Sequence, residues 1–157
     1  MNRYAVLGQP IQQSLSPVIH GAFAQQLGIA ITYERIEVAP EALAERLVEL
    51  HAHGYLGLNV TAPHKLGALA AAVTRTPRAE LAGAANTLTR NETGWQADNT
   101  DGEGLVRDLR DNLGWTLAGK RVLLLGSGGA ARGVIQPLLE AGPAELIVSG
   151  RTPWNVE

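Results

Sequence analysis

A lysine follows two small polar residues where an apolar segment meets a proline. Asn59 and Thr61 alternate with apolar residues up to Pro63, and Lys65 comes two positions later. Because Pro63 lacks an N–H and has a fixed φ, a strand is expected to end there. In α/β proteins, ligand sites lie at the ends of strands. Lys65 can therefore stabilise a developing oxyanion or exchange a proton with a ligand. The alternative is that Lys65 is only a surface lysine in the first turn of a helix.

Four other polar residues can complete such a site. Asp101 can pair with Lys65, although a helix dipole also favours a carboxylate in the first turn. Asn86 enters a predicted strand, where turn formation is the alternative role. Ser14 and Ser16 point the same way on an extended segment before a helix, so together they can hold a carboxylate. The alternative is that Ser16 only caps the helix and Ser14 is a loop residue.

A glycine-rich loop lies between a predicted strand and a predicted helix. Its residues are Gly126, Ser127, Gly128, Gly129, Ala130 and Ala131. In this context Gly126 allows a tight turn, Gly128 lets the backbone approach a pyrophosphate, and the helix N-terminus favours negative charge. Ala131 occupies the third glycine position of the dinucleotide fingerprint, which tolerates alanine. A βα turn without a ligand is the alternative.

The end of the next strand indicates which dinucleotide the loop would bind. NAD sites place an Asp or Glu there to bind the ribose 2′-hydroxyl. Here the segment is Ser149-Gly150-Arg151-Thr152, which has an arginine and no carboxylate. A guanidinium suits a 2′-phosphate, so the sequence favours NADP over NAD. A solvated surface arginine is the alternative for Arg151.

The elements that position these residues follow from hydrophobic periodicity. Strands are expected at residues 3–8, 31–38 and 55–60, with a helix in each interval. The first helix places four apolar residues on one face and should end at Gly28; they are Ile19, Ala22, Phe23 and Leu27. The second helix carries a leucine stripe at Leu43, Leu47 and Leu50. This βαβαβ order predicts an α/β fold with a mainly parallel sheet.

The second half of the chain predicts a hairpin and a second α/β unit. Residues 84–89 and 94–97 flank a turn typical of a hairpin. Thr100 and Glu103 have the spacing of a capping box at the start of a helix. Residues 121–125 are expected to form a buried strand ahead of the glycine loop, and so to begin a Rossmann-type fold.

Composition excludes several classes of function. The chain has 157 residues, a net charge of −2 and no cysteine, so it offers no basic surface for nucleic acid and no thiolate chemistry. No apolar run approaches the roughly 18–20 residues that span a bilayer. The histidines show no metal-ligand spacing. These features predict a cytoplasmic protein that binds a small molecule without a metal or a membrane.

Taken together, the motifs resemble the shikimate dehydrogenase family. The matching segments, in family order, are residues 8–11, 14–17, 59–65, 83–87, 98–102, 126–133 and 151–152. The resemblance implies reversible NADPH-dependent reduction of 3-dehydroshikimate to shikimate, a step of aromatic amino-acid biosynthesis. It also implies a role for each candidate residue.

In the roles that the resemblance implies, Lys65 and Asp101 form the catalytic pair. The substrate carboxylate is bound by Ser14 and Ser16. Ring hydroxyls are contacted by Thr61 and Asn86 together with the catalytic pair, and Asn59 lines the pocket. The cofactor is held by the glycine loop, Arg151 and Thr152. Two departures concern the cofactor: Gly150 replaces a frequent Asn, and Trp154 and Asn155 stand where a second basic residue is common.

The resemblance also implies a domain organisation. Residues 1–100 are expected to form the substrate domain, 101–118 a linker helix and connector, and 119–157 an incomplete cofactor domain. We therefore interpret the sequence as an N-terminal fragment or truncated form. Two alternatives to a strict shikimate dehydrogenase are a quinate/shikimate dehydrogenase of broader specificity and a module that binds shikimate without turnover. A homodimer is compatible with the sequence.

Overall fold

Apolar segments and helical patterns alternate along residues 1–151, the part of the chain that the computed structural model describes. The strands there are β1 (Asn2–Gly8), β2 (Ile31–Glu37), β3 (Tyr55–Val60), β4 (Thr74–Arg75), β5 (Thr87–Arg90), β6 (Trp95–Asp98), β7 (Arg121–Leu125) and β8 (Glu145–Ser149). The α-helices are α1 (Ser16–Leu27), α2 (Leu43–Ala52), α3 (Lys65–Ala71), α4 (Pro77–Ala82), α5 (Asp101–Arg107) and α6 (Gly129–Glu140). A short 3-10 helix, Pro40–Ala42, precedes α2, and a π-helix, Asp108–Asn112, follows α5.

The first six strands form one sheet in the order β2-β1-β3-β5-β6-β4. β1 lies parallel to β2 and β3, and β4 lies parallel to β6. β5 runs antiparallel to β3 and to β6, which confirms the predicted hairpin. The predicted α/β fold with mainly parallel strands is therefore confirmed. Because β1 and β3 are parallel, their C-terminal ends meet at one edge of the sheet, where the first candidate residues lie.

The core lies between this sheet and α2. The predicted leucine stripe is confirmed, since Leu43, Leu47 and Leu50 are only 2–5% exposed. These side chains pack with Leu7, Leu58 and Leu88 of the sheet. Burial of each such side chain is worth about 1.5–3 kcal/mol, so this layer fixes the edge from which the candidate residues project.

The apolar face that the sequence predicts for α1 is exposed. Ile19, Phe23 and Leu27 are 47%, 54% and 70% exposed, and α1 buries Ala24 instead. Helical periodicity identifies an apolar face but does not specify which side of the helix the sheet covers. The predicted end of the helix is confirmed, because Gly28 adopts the left-handed conformation, with φ 65°.

The second unit consists of the parallel pair β7–β8 and helix α6. α6 packs against α5, where glycines allow a close approach: a Cβ at Gly102 would lie 2.5 Å from Pro137 Cγ. The strand predicted at residues 121–125 is confirmed, but its predicted burial is wrong, since Leu123 and Leu125 are exposed. With a single strand pair, part of the apolar surface of this unit has nothing packed on it among residues 1–151.

Candidate active site

The C-terminal end of β3 leads directly into α3. The backbone passes through Thr61 and a cis Ala62–Pro63 peptide bond before α3 begins at Lys65. Thr61 donates its N–H to the carbonyl of Leu7 (2.9 Å), which ties this turn to the end of β1. A Cβ at Gly8 would lie 2.7 Å from Thr61 Cγ2, so only glycine leaves room for this side chain. The sequence thus places Lys65 at the strand end, as predicted.

Lys65 forms an ion pair with Asp101. The ammonium Nζ donates to Asp101 Oδ2, and the two side chains are only 13% and 25% exposed. The other carboxylate oxygen, Oδ1, accepts from Asn86 Nδ2 at 2.8 Å. A largely buried lysine is therefore held by a carboxylate that is itself oriented by an amide. This arrangement presents one directed ammonium group at the end of β3.

Asn86 also binds the residue that precedes α5. Its Oδ1 accepts the N–H of Thr100 at 3.0 Å, and its Nδ2 donates to Thr100 Oγ1 at 2.9 Å. The predicted capping box is wrong, because the Thr100 side chain makes no cap hydrogen bond and Glu103 pairs with Arg78 instead. The competing partner for Thr100 is the amide of Asn86, 14 residues earlier, which a local pattern does not reveal.

The buried side-chain amide of Asn99 holds the backbone of Asp101 in place. Asn99 is almost inaccessible; its Nδ2 donates to the carbonyl of Ala84 (2.9 Å), and its Oδ1 accepts the N–H of Asp101 (3.1 Å). A Cβ at Gly133 would lie 2.7 Å from that Oδ1. Asn99 therefore joins the segment leading to Asn86, the start of α5 and the body of α6 at one point.

The two serines lie beside each other on the entrance to α1. Ser14 Oγ and Ser16 Oγ are 3.1 Å apart, and Arg35 Nε donates to the Ser14 carbonyl at 2.7 Å. The interpretation of Ser16 as an N-cap is wrong: Leu15 is the N-cap residue, and the helix has no side-chain cap. Both hydroxyls can turn toward an acceptor such as a carboxylate.

Tyr33 links the serines to β3. Its hydroxyl donates to Asn59 Oδ1 at 2.5 Å, and the ring of His20 stacks on its ring. Burial raises the pKa of Tyr33 to about 12, against a smaller lowering effect from Ser16. Desolvation likewise lowers the pKa of His20, while Asn59 opposes the shift. Both rings are therefore neutral at pH 7.

The glycine loop borders this cluster. Gly126 has φ +124° and donates its N–H to the carbonyl of Ser149 at 2.7 Å, and Gly128 is the N-cap residue of α6. A Cβ at Gly129 would lie 3.2 Å from Lys65 Cβ. The N-terminus of α6 therefore lies directly against the residue at the start of α3.

The remaining predicted cofactor residues follow β8. Arg151 is exposed just beyond the end of that strand. Thr152 lies outside the described residues. The structure thus brings the glycine loop next to Lys65. Arg151 lies two residues after Ser149, whose carbonyl accepts the N–H of Gly126.

Sequence reasoning missed several residues that shape the cluster, namely His20, Tyr33, Arg35, Asn99 and Thr100. His20 is four positions after Ser16 and so shares its helix face, which was an available signal. Tyr33 lies on a strand whose register opposite Tyr4 only the fold reveals. The contacts of Arg35 and Asn99 go to backbone atoms and leave no sequence pattern.

A large cavity lies elsewhere. About 760 Å³ opens among α4, α5 and α6, lined in part by Arg78, Trp115 and Arg132. Its lining does not include Lys65, Asp101 or either serine. This cavity therefore does not contain the candidate residues, and the convergent hydrogen-bonding groups at the end of β3 are the better indicator of a reactive site.

Among residues 1–151, no helix has both the length and the hydropathy needed to cross a bilayer. In the same part of the chain, no three or more His, Asp or Glu side chains are grouped so that they could bind a metal ion.

The fold and the site define an α/β protein with a lysine–aspartate pair at a strand end and a glycine-rich loop beside it. Comparison with known families makes this more specific: the shikimate dehydrogenase substrate binding domain matches residues 6–88, more than half of the chain. The chain belongs to the shikimate dehydrogenase family. The resemblance predicted from the motifs is confirmed.

Relatives match the whole chain. It is 52% identical over 157 residues to a shikimate dehydrogenase (NADP(+)) of Methylobacillus flagellatus, and 53% identical to one of Xanthomonas campestris pv. campestris. These alignments cover all of this chain but 58% and 56% of the relatives, so the chain spans a little over half of their length.

A solved structure gives the same result. Shikimate 5-dehydrogenase from Thermus thermophilus, in complex with NADP(H) and shikimate, is 39% identical and superposes with a TM-score of 0.91. The alignment covers 99% of this chain and 58% of that one. The Thermus thermophilus enzyme therefore has the same fold over both sheets of this chain.

Proposed function

We propose that this chain supplies the substrate site and catalytic pair of an NADP-dependent shikimate dehydrogenase, which reversibly reduces 3-dehydroshikimate to shikimate in aromatic amino-acid biosynthesis. The observation that carries the proposal is the Lys65–Asp101 ion pair at the end of β3, oriented by Asn86, in a chain of this family. The names of the relatives and the ligands of the Thermus thermophilus structure support it.

Lys65 is the residue that acts on the reacting oxygen. As the substrate carbonyl becomes an alkoxide, the nearby ammonium stabilises the developing charge more than it stabilises the ground state, and it can supply the proton. Asp101 accepts a hydrogen bond from that ammonium and so fixes its direction. Asn86 in turn fixes the carboxylate, which leaves the lysine a single orientation.

The remaining polar groups bind the ring acid. Ser14 and Ser16 present two hydroxyls 3.1 Å apart, a spacing that suits the two oxygens of a carboxylate. Thr61 and Asn86 contact ring hydroxyls, and Asn59 lines the pocket between the serines and Lys65. These hydroxyl and amide groups are neutral, so they orient the substrate without competing with the charge of the lysine.

The glycine loop fits the pyrophosphate of NADP. No atom lies within 4 Å of a Cβ built on Gly126 or Gly128, so the backbone there is open to a ligand. The 12-residue helix α6 directs its first N–H groups toward the same place. Arg151 would pair with the 2′-phosphate, Thr152 is assigned to the same group from sequence alone, and the bound cofactor would supply the hydride.

The same division of roles suggests the domain organisation. We assign residues 1–100 to the substrate domain, 101–118 to a linker, and 119–157 to the cofactor domain. The separation of the six-stranded sheet from the β7–β8 pair supports these bounds. The proposal includes a cytoplasmic location, and a homodimer as the assembly to test by light scattering.

Calorimetric titration of the chain with shikimate, followed by an assay of shikimate oxidation with NADP, tests the proposal. We expect shikimate to bind, and quinate to bind more weakly. Equal use of both acids would favour the quinate/shikimate alternative. Binding without oxidation would favour a binding module, an outcome made relevant by the partial coverage of the relatives. Absence of shikimate binding would refute the function.

Lysine variants test the catalytic role, because the chain has only two lysines. In any form of the protein that oxidises shikimate, Lys65→Met should lower kcat by about 10²–10³-fold, the range seen when a transition-state donor is removed. The matched control is Lys120→Met, which alters an exposed lysine before β7 and should leave kcat unchanged. Equal kcat in both variants would contradict the assignment.

A further inference from the structure

Four side chains form a continuous polar and aromatic cluster that begins at Ser16, and two of them, His20 and Tyr33, have no role in the proposed function. Ser16 and His20 come from α1, Tyr33 from β2 and Asn59 from β3. Ser16 and His20 are four residues apart, so both lie on the same face of the helix. The cluster therefore connects the helix that carries the candidate carboxylate site with the strand that leads to Lys65.

Tyr33 is held from two directions. The imidazole of His20 lies nearly parallel to its ring, with centroids 4.3 Å apart and 11° between the planes. Its hydroxyl donates to Asn59 Oδ1 at 2.5 Å. A stacked neighbour fixes the plane of the ring and the hydrogen bond fixes its tip, so the phenol has one well-defined position beside Ser16.

His20 is itself held in place. The ring of Phe23 approaches edge-on, with centroids 6.1 Å apart and 79° between the planes. Partial burial keeps the imidazole uncharged at pH 7, since desolvation lowers its pKa. His20 makes no described contact with Lys65 or Asp101. Whatever it contributes must therefore pass through Tyr33 and Asn59.

We propose that His20 is a positioning residue, whose ring stacks on Tyr33 and thereby holds the Tyr33–Asn59 pair in the geometry that receives the ring acid. This inference rests on the proposed function. Its physical basis is preorganisation: a side chain fixed before the ligand arrives loses no further rotamer freedom on binding. Replacing His20 should therefore change the affinity for the substrate and not the rate of hydride transfer.

Three replacements separate stacking from other roles of the imidazole. His20→Phe keeps a planar ring but no nitrogen, His20→Gln keeps a polar group without the ring, and His20→Ala removes both. The control is His53→Ala. His53 is an exposed histidine at the C-cap of α2, and its ring contacts only the carbonyl of Glu49 in that helix among the hydrogen bonds of the described residues. Thermal unfolding of each variant checks that it is folded.

The first measurement needs no ligand. In NMR spectra of the chain with labelled tyrosine, the Tyr33 ring signal, identified by its loss in Tyr33→Phe, carries a ring-current shift from the stacked imidazole. We expect this shift to persist in His20→Phe and to disappear in His20→Gln and His20→Ala. An unchanged Tyr33 signal in all three variants would overturn the inference, whatever the ligand does.

The second measurement is the Kd of shikimate by calorimetry. His20→Ala and His20→Gln should weaken binding by about two- to tenfold, the range expected for loss of one aromatic pair, and His20→Phe should restore it. In a Tyr33→Leu background, His20→Ala should have almost no further effect, because its partner is already absent. Additive losses, or rescue by glutamine and not by phenylalanine, would overturn the inference.

The two measurements separate this inference from the proposed function. If the wild-type chain does not bind shikimate, the proposed function fails and the ligand-binding role of His20 fails with it, while the Tyr33 signal still reports whether the stack exists. If shikimate binds normally in His20→Ala although the Tyr33 signal has changed, the function stands and the positioning role is refuted.

Discussion

The six-stranded sheet and the β7–α6–β8 unit contrast in how they hold their functional groups. In the first, leucines of α2 and of the central strands are almost inaccessible, and the candidate side chains are joined by hydrogen bonds. In the second, Leu123 and Leu125 are exposed, and the glycine loop offers only backbone groups. In the proposed function, side chains of the densely packed region recognise the substrate, and the backbone of the open region recognises the cofactor.

The contrast has a physical reason. A directed ammonium needs neighbours that fix it, and those neighbours need a packed sheet behind them. A pyrophosphate site at a helix N-terminus needs only a helix of sufficient length and a loop without side chains. The second unit can therefore present its site with much less buried surface, and mutations should affect the stability of the two regions very differently.

The largest expected effect is a core truncation in the six-stranded sheet. Leu88 is 0% exposed and lies between β3 and β6 in the core, so Leu88→Ala should cost about 2–5 kcal/mol in free energy of unfolding. Leu125→Ala removes the same atoms from a side chain that is 75% exposed and should cost no more than about 0.5 kcal/mol. Urea unfolding followed by far-UV circular dichroism measures both.

Similar losses from the two substitutions would contradict the contrast, because they would mean that the β7–β8 pair is as tightly packed in solution as the main sheet. The comparison is well matched, since each variant deletes the same carbon atoms of a leucine in a β-strand or its end.

The next effect concerns the contact between the two regions. A Cβ at Gly102 would lie 2.5 Å from Pro137 Cγ and 3.0 Å from Val134 Cα, so Gly102→Ala should push α6 away from α5 and cost about 1–3 kcal/mol. Gly104, two residues later in the same helix, has no atom within 4 Å of a built Cβ. Gly104→Ala should therefore stabilise the protein by roughly 0.5–1 kcal/mol.

Opposite signs for two glycine-to-alanine changes in one helix would establish that the contact, and not helix propensity, determines the result. Thermal unfolding is the measurement. Stabilisation by Gly102→Ala would show that α5 and α6 are not packed as closely in solution as the geometry indicates.

Sequence reasoning predicted the elements well wherever local chemistry decides them. The first three strands with their two helices, the β5–β6 hairpin, the Gly28 helix end and the buried stripe of α2 followed from periodicity and turn residues, whereas the short strand β4 was not predicted. The exposed face of α1 did not follow, because periodicity locates a face without naming what covers it. The exposed side of β7 was missed for a similar reason: an apolar strand does not specify how many layers pack on it.

The candidate site was predictable as residue types but not as contacts. Lys65 and Asp101 are 36 residues apart, and only the sheet order brings them together. Thr100 satisfies a local capping pattern, yet binds Asn86. Tyr33 and His20 belong to the cluster through stacking, which depends on the placement of α1 against β2. Long-range pairing of this kind leaves no signal in a single sequence.

The smallest expected effect is a difference in acid sensitivity between two ion pairs. The hydrogen bond from Arg78 lowers the pKa of Asp98 to about 2 from an ordinary 3.8, with further help from Thr76 and the N–H of Asn99. A carboxylate whose pKa is lower in the folded state adds stability above its unfolded pKa. This contribution is complete above about pH 4 and is lost as the pH falls toward 2.

Asp98→Asn should therefore flatten the fall in unfolding free energy between about pH 4 and pH 2, because the variant has no proton to gain there. Asp111 is the matched comparison: its pKa is also lowered, by Arg110, but that pair is fully exposed after α5 and is screened by solvent and salt. Asp111→Asn should therefore change the fall in unfolding free energy at acid pH less than Asp98→Asn does. Raising the salt concentration should abolish the effect of Asp111→Asn before that of Asp98→Asn. Urea unfolding curves recorded at a series of pH values give the free energy of unfolding of both variants. If Asp98→Asn leaves this fall in unfolding free energy unchanged, or if Asp111→Asn changes it more, the acid-sensitive contact lies outside the six-stranded sheet.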